Sequence, residues 1–182
     1  MIMSNNSKEL SKFLSYILRH EPESIKLSLD TEGWANISEL IELANLSGQS
    51  ITREQVLEVV ASSDKKRFTL SIDQTQIRAA QGHSLKTVDI NFNELQPPAT
   101  LLHGTASKNI DAIKQKGLIA GERQYVHLTE NSDTAKATGT RYGKPIVLTI
   151  DSLNMYQKGF KFFLSDNDVW LTEQMPIEYI KF

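Results

Sequence analysis

Cysteine is absent from this chain, which removes disulfides, thiolate catalysis and cysteine-ligated zinc together and fits a reducing, cytoplasmic setting. No apolar run approaches the roughly 20 residues needed to cross a bilayer, and no apolar stretch with a cleavage site opens the sequence, so neither insertion nor export is expected. None of the histidines at 20, 83, 103 and 127 has a partner at helical i, i+4 spacing, and no metal site is expected. A glycine-rich phosphate loop and a Gly-x-Ser-x-Gly elbow are equally missing. So is any basic excess. The formal net charge is −2, and the residues up to Lys86 carry 10 Lys plus Arg against 11 Asp plus Glu, with the same numbers in the remainder. A nucleic-acid partner would therefore be held by a local cluster and not by a general field.

What is present reads first as helices. With 182 residues and 40% apolar composition the chain can bury a proper core, as one large domain or two small ones. Leu10, Phe13, Leu14, Ile17 and Leu18 recur at helical spacing between Ser7 and His20, with Asn6 and Glu9 as a capping pair, and Pro22 stops the run. Asn36 with Glu39, and Thr52 with Gln55, open two further helices. Asp30 to Trp34, DTEGW, is a turn closing on an aromatic anchor. Phe68, Leu70 and Ile72 then alternate with polar residues, and Gln76 to Ala80 return as a partner strand. Three helices and a hairpin form a winged-helix pattern.

After Ser84 the character changes, and the Pro-Pro pair within Asn91–Leu101 marks the start of a second lobe. Leu101 to Thr105 reads as a strand running into a tight turn. Ser107 caps a helix that Gly117 ends, Tyr125 to Leu128 alternates as a strand, and Asn131 or Ser132 caps another helix. Pro145–Ile150 is a buried strand, and Phe160–Leu164, Val169–Leu171 and Glu178–Phe182 finish as strands. Without a βαβ rhythm the class is α+β, divided at about residue 90.

Arginine and histidine collect at turns and element ends: Arg19, His20, Arg67, Arg78, His83, His103, Arg123, His127 and Arg141. Arginine's planar fork matches phosphate oxygens and stays charged, so such a site expects phosphorylated substrates. Bland readings stand beside this one. Arg19 and His20 suit a helix C-terminus, Lys65 to Phe68 (KKRF) reads as a solvated corner, His127 as a half-buried strand residue, and Trp34 and Trp170 as core anchors. The densest stretch is Ile77 to Ser84, IRAAQGHS, at the junction of the two halves.

In order and approximate spacing, LSYILRHEP, DTEGW, KKRF, IRAAQGHS, LLHGT, RQYVHLT, GTRYGKP and NDVWLT resemble the RNA 2′-phosphotransferases of the KptA type, from about Leu10 to the end. The resemblance implies a winged-helix-like RNA/phosphate-binding lobe over 1–90. It implies an ADP-ribosyltransferase-like NAD-binding lobe of small, mainly antiparallel sheets over 91–182. The implied reaction removes an internal 2′-phosphate from RNA of tRNA type by passing it to NAD. An ADP-ribosylated RNA forms on the way, and the products are 2′-OH RNA, ADP-ribose 1″,2″-cyclic phosphate and nicotinamide. The family's Arg-His-Arg-Arg set falls on Arg19, His20, Arg78 and Arg123. Toward NAD it implies His103, Gly104 and Thr105, then His127, Leu128 and Thr129, with Arg141 for the pyrophosphate. Val169 stands at the third position of the ADP-ribosyltransferase triad, where protein-modifying relatives carry Glu. Lys65 and Arg67 stand close in sequence to Arg78 and with Arg19 can converge on the RNA phosphate, and His83 is assigned there too, either touching substrate or pinning the bend at Gln81–Gly82 that leads from the first lobe to the second. A metal-free monomer is expected.

The chain departs from the family pattern at Asp168, usually Gly, at Tyr142, commonly His, and at Thr129, often Ser. Asp168 puts a Cβ and a charge into a turn that glycine suits best. Two other readings compete: an ADP-ribosyltransferase that stops after the first step, and a winged-helix DNA-binding regulator. The regulator fits poorly, since Arg53 is the only cation between Ile37 and Val60, among Glu39, Glu42, Glu54 and Glu58.

Overall fold

A computed structural model describes residues 5–62 and 66–182. It divides into two compact units, one ending at Asn91 and the other running from Phe92 to Phe182. The class is α+β, with six α-helices among the described residues and every strand pair antiparallel.

The first unit opens on helix α1, Asn5–Arg19, whose Leu10, Leu14, Ile17 and Leu18 are buried at the spacing its sequence prescribes. Asn6 lies inside this helix and not at its cap, and Glu9 instead pairs with Lys12 at 2.7 Å. Pro22 opens a short 3-10 turn, Pro22–Ile25, since its fixed φ suits a first helical position while its missing N–H cannot continue α1. Strand β1, Ala35–Asn36, leads into α2, Ile37–Leu46, and Asn36 Oδ1 caps the helix by accepting from the Ser38 and Glu39 N–H groups. Helix α3, Arg53–Ser62, carries a reciprocal cap: the Thr52 N–H donates to Gln55 Oε1 at 2.9 Å. Strands β2, Phe68–Leu70, and β3, Gln76–Ala79, form a hairpin, and the sheet order is β1-β3-β2. The hairpin is shorter than the alternation suggests, because Ile72 falls in its turn and is fully exposed. Leu14, Ile37, Leu40, Val56 and Ile77 join one core, and each fully buried Leu or Ile contributes roughly 1.5–3 kcal/mol.

In the second unit β4, Leu101–Ala106, runs into a 3-10 turn, Ser107–Asn109, so Ser107 opens that turn and does not cap α4, Ile110–Lys116. Gly117 ends α4 at φ 72°, and a Cβ there would lie 2.1 Å from the Met175 carbonyl oxygen. Next come β5, Leu118–Ile119, β6, Val126–Leu128, and α5, Ser132–Thr140, capped by Asn131 Oδ1 on the Thr134 N–H at 2.8 Å. Strand β7, Pro145–Ile150, precedes α6, Ser152–Gln157. Then follow β8, Phe163–Leu164, β9, Trp170–Thr172, β10, Gln174–Met175, and, after a 3-10 turn, β11, Ile180–Lys181. The last strands are thus shorter than their apolar runs suggest, because the Phe160 N–H turns back to the Met155 carbonyl and Glu178 falls in the 3-10 turn. The sheets are β11-β7-β4, β6-β9-β8 and β10-β5. Leu101, Leu148, Ile150, Phe162 and Trp170 belong to their shared core. No helix among the described residues is long and apolar enough to cross a membrane.

Candidate functional site

The first unit gathers its cations where elements end. Arg19 closes α1, where the helix dipole favours a positive charge, and its carbonyl accepts the Ser84 N–H at 3.0 Å. Its Nη2 donates to the Arg67 carbonyl at 3.5 Å. A Cβ on Gly82, whose φ is 89°, would come within 3.9 Å of the Arg19 guanidinium stem, so this bend lets the backbone pass close beside the arginine. His20 holds its Nδ1 3.0 Å from Ser84 Oγ. Arg78 sits on β3 opposite Thr69, with its Cζ 4.6 Å from the centre of the Trp34 ring and its Nη1 3.7 Å from Glu32 Oε2. One helix end, one hairpin strand, the 30–34 turn and the Gly82–Ser84 bend therefore supply the cluster.

His83 lies within it and is only 2% exposed. Burial, and then the positive charges of Arg19, His20 and Arg78, push its pKa down to about 4, so the ring is neutral at ordinary pH. Its Nε2 is buried without a hydrogen-bond partner among the described residues. Gly33, at φ 81°, makes room for the ring: a Cβ there would stand 3.1 Å from His83 Nε2 and 3.2 Å from Val88 Cγ1.

In the second unit β4 carries His103, Gly104 and Thr105. His103 meets the His127 carbonyl through Nδ1 at 3.0 Å, which puts the proton on Nδ1 and leaves Nε2 as an acceptor. Burial holds its pKa below the usual imidazole value, partly opposed by that hydrogen bond. Arg123 Nη1 donates to His127 Nδ1 at 2.8 Å, and since a guanidinium cannot accept, this His127 nitrogen is unprotonated. Gly104 is dictated by packing: a Cβ would lie 1.7 Å from the Ala135 carbonyl oxygen, because α5 meets β4 at backbone contact. Gly139 answers from the helix, where a Cβ would stand 2.5 Å from the Thr105 carbonyl oxygen. Thr105 is buried and accepts from Asn109 Nδ2 at 3.2 Å. Leu128 is buried in β6, and Leu102 and Thr129 exchange backbone hydrogen bonds at 2.8 and 2.9 Å, which seats the end of β6 beside β4.

The sequence-derived residues therefore fall into two groups. Arg19, His20, Arg67, Arg78 and His83 meet in the first unit, and His103, Gly104, Thr105, Arg123, His127, Leu128 and Thr129 in the second. Lys65 lies outside the described residues. Arg141 is exposed just past the end of α5, and Val169 is part-buried ahead of β9, its N–H donating to Ser165 Oγ at 3.1 Å. Asp168 has φ 60°, the left-handed conformation that glycine adopts at least cost, and aspartate is among the few residues that tolerate it. The turn is kept, with the Asp168 N–H donating to the Ser165 carbonyl at 3.0 Å.

Sequence reasoning passed over Glu32 and Ser84 and read Trp34 as a core anchor. Trp34 is instead part-buried beneath a cation, a pairing that only the sheet register reveals. Trp170 does anchor the core, and its indole N–H donates to Glu130 Oε1 at 2.9 Å.

The family model described as RNA 2′-phosphotransferase, Tpt1 / KptA family, matches residues 5–174. A relative from Pectobacterium carotovorum is 52% identical over 179 residues, covering 98% of this chain and 96% of its own length. One from Pseudomonas fluorescens is 51% identical over 174 residues, 96% of each chain. One from Agrobacterium fabrum is 51% identical over 174 residues, 96% of this chain and 93% of its own. Each is named "Probable RNA 2′-phosphotransferase".

Proposed function

The chain belongs to the RNA 2′-phosphotransferase, Tpt1 / KptA family, and we propose that it transfers an internal 2′-phosphate of a tRNA-type RNA to NAD. The route is through an ADP-ribosylated RNA, and the products are 2′-OH RNA, ADP-ribose 1″,2″-cyclic phosphate and nicotinamide. The observation that carries this reading is the meeting of Arg19, His20 and Arg78 around a buried, neutral His83. Two permanent cations beside an imidazole suit a phosphate monoester, and a histidine that adds no charge of its own leaves that balance to the substrate.

A phosphate monoester has its second pKa near about 6, so at neutral pH it is already an anionic nucleophile and needs aim more than a base. Arg19 and Arg78 supply that aim. In the second step the 2″-OH of the attached ADP-ribose attacks phosphorus and the RNA 2′-oxygen leaves as the 2′-OH, and the charge that grows on the phosphoryl oxygens is where fixed guanidinium groups stabilise most. His20, steered by its contact with Ser84 Oγ, is the group to move a proton in that step.

NAD supplies the acceptor ribose and the departing nicotinamide. The second unit fits it in its donor and acceptor pattern: neutral His103 offers Nε2 to a ribose or amide donor. His127, Leu128 and Thr129 continue that surface, with Arg123 as the fourth member of the essential set and Arg141 for the pyrophosphate. Arg67, whose carbonyl Arg19 Nη2 reaches at 3.5 Å, adds a cation for the RNA phosphate, and Lys65 keeps the same assignment from the sequence alone. The order α1, β1, α2, α3, β2, β3 supports a winged helix for the first unit, and the small antiparallel sheets support an ADP-ribosyltransferase-like second unit. A cytoplasmic monomer without metal completes the reading. The test is 2′-phosphate removal from a short RNA with and without NAD: the reading expects removal, with nicotinamide release, only when NAD is present, and NAD-independent release of inorganic phosphate would overturn it.

A further inference from the structure

The DTEGW turn has no part in the reaction as described, yet its geometry is aimed at Arg78. Asp30 Oδ1 accepts from the Glu32 and Trp34 N–H groups, each at 2.9 Å, and the Asp30 N–H donates to the Trp34 carbonyl at 3.0 Å, so the turn is locked by its first residue. Gly33 bends it at φ 81° and brings its backbone against His83. What the locked turn presents is the Trp34 ring, 4.6 Å from Arg78 Cζ, and the Glu32 carboxylate, 3.7 Å from Arg78 Nη1. Register fixes the other side, since Ala35 of β1 pairs with Ile77 of β3, one residue before Arg78.

We propose that Trp34 is a positioning residue for Arg78: its ring holds the guanidinium in place, and Glu32 is the resting counter-ion that the substrate's phosphate replaces. An aromatic ring beneath a guanidinium restrains it through the ring face and consumes none of its N–H donors. Glu32, half exposed and at long ion-pair distance, is a weak partner that a dianionic phosphate outcompetes. The inference rests on the phosphotransferase reading for its consequence in catalysis, but not for the contact itself.

Two measurements on the full chain separate these levels. The first is the Arg78 Nε–H resonance, assigned by its loss in Arg78→Lys. It should be ring-current shifted in the parent protein, keep that shift in Trp34→Phe and lose it in Trp34→Leu. An unshifted resonance in the parent overturns the proposal, whatever the activity. The second is turnover of a 2′-phosphorylated oligonucleotide per folded protein. Trp34→Leu should lower kcat about 3- to 30-fold, the span of an aromatic–cation contact, with KM for NAD unchanged. Trp34→Phe should recover most of that loss, and Glu32→Gln should lower KM for the RNA. Parent-like kcat in Trp34→Leu, or an equal loss in Trp34→Phe, sinks the positioning role. An unchanged or raised KM in Glu32→Gln sinks the counter-ion role. A parent protein that leaves the 2′-phosphate in place fails the phosphotransferase reading instead, and the resonance still decides the contact.

Discussion

The two units hold their candidate functional side chains by different means. In the second, His103, His127 and Arg123 are tied by hydrogen bonds of 2.8–3.0 Å from strands and the loop beside them. The glycines there, Gly104 and Gly139, are demanded by backbone packed on backbone. In the first, Arg19 and His20 come from the end of α1 and Arg78 from β3, and their contacts include a guanidinium over a ring and an ion pair at 3.7 Å. There Gly82 and Gly33 make room for side chains. A rigid, hydrogen-bonded surface suits a ligand recognised through many polar groups. A cluster of cations drawn from several elements suits an anion.

That contrast can be broken from either side, and the largest effect should come from the second unit. Gly104→Ala forces a methyl into the Ala135 carbonyl at 1.7 Å, so unfolding monitored by circular dichroism should show a loss of more than about 4 kcal/mol. Gly82→Ala, whose Cβ would stand 3.9 Å from the Arg19 side chain but at φ 89°, should cost about 1–2 kcal/mol through backbone strain alone. In the first unit Arg78→Ala should keep the fold and lower 2′-phosphate removal by roughly 10²- to 10³-fold, as expected for losing one preorganised donor to developing charge. Parent-like turnover in that variant would remove Arg78 from the clamp.

His83 gives a pH test of the same contrast. Its pKa is about 4 when folded against 6.5 for the free side chain. Below pH 6.5 the unfolded chain takes up a proton that the folded one refuses, so stability from this group is full above about 6.5 and is lost as pH falls toward about 4. The loss is about 3 kcal/mol across that window. Denaturant titrations from pH 7.5 to 4.5 should show this decline, and His83→Gln should flatten it. The smallest effect concerns Asp168: replacing it with Gly relieves a left-handed residue and should stabilise the second unit by up to about 1 kcal/mol.

Much of the fold is legible in the sequence where a single local rule decides the outcome. The periodicity of Leu10 to Leu18, the cap at Asn36 and the reciprocal pair Thr52–Gln55 all fix their helices within a few residues. Legibility fails where two signals compete. Ser107 is a good cap residue, yet the chain leaves β4 through a 3-10 turn first, and Phe160 to Leu164 is apolar enough for a longer strand than it forms. The site is legible through motifs, because the cationic residue types stand at element ends. The partners that hold those residues are not. Trp34 and Arg78 are 44 positions apart and meet only because β1 pairs with β3, and Glu32 carries no mark of its nearness to an arginine until the Asp30–Trp34 turn closes.

The proposed function requires the chain to carry a 2′-phosphate from RNA to NAD and to complete both steps. The most direct measurement is the product mass after incubation with NAD and a short internally 2′-phosphorylated oligonucleotide. The account predicts 2′-OH RNA together with nicotinamide and ADP-ribose 1″,2″-cyclic phosphate. An ADP-ribose adduct that persists on the RNA, with no cyclic phosphate released, would contradict it.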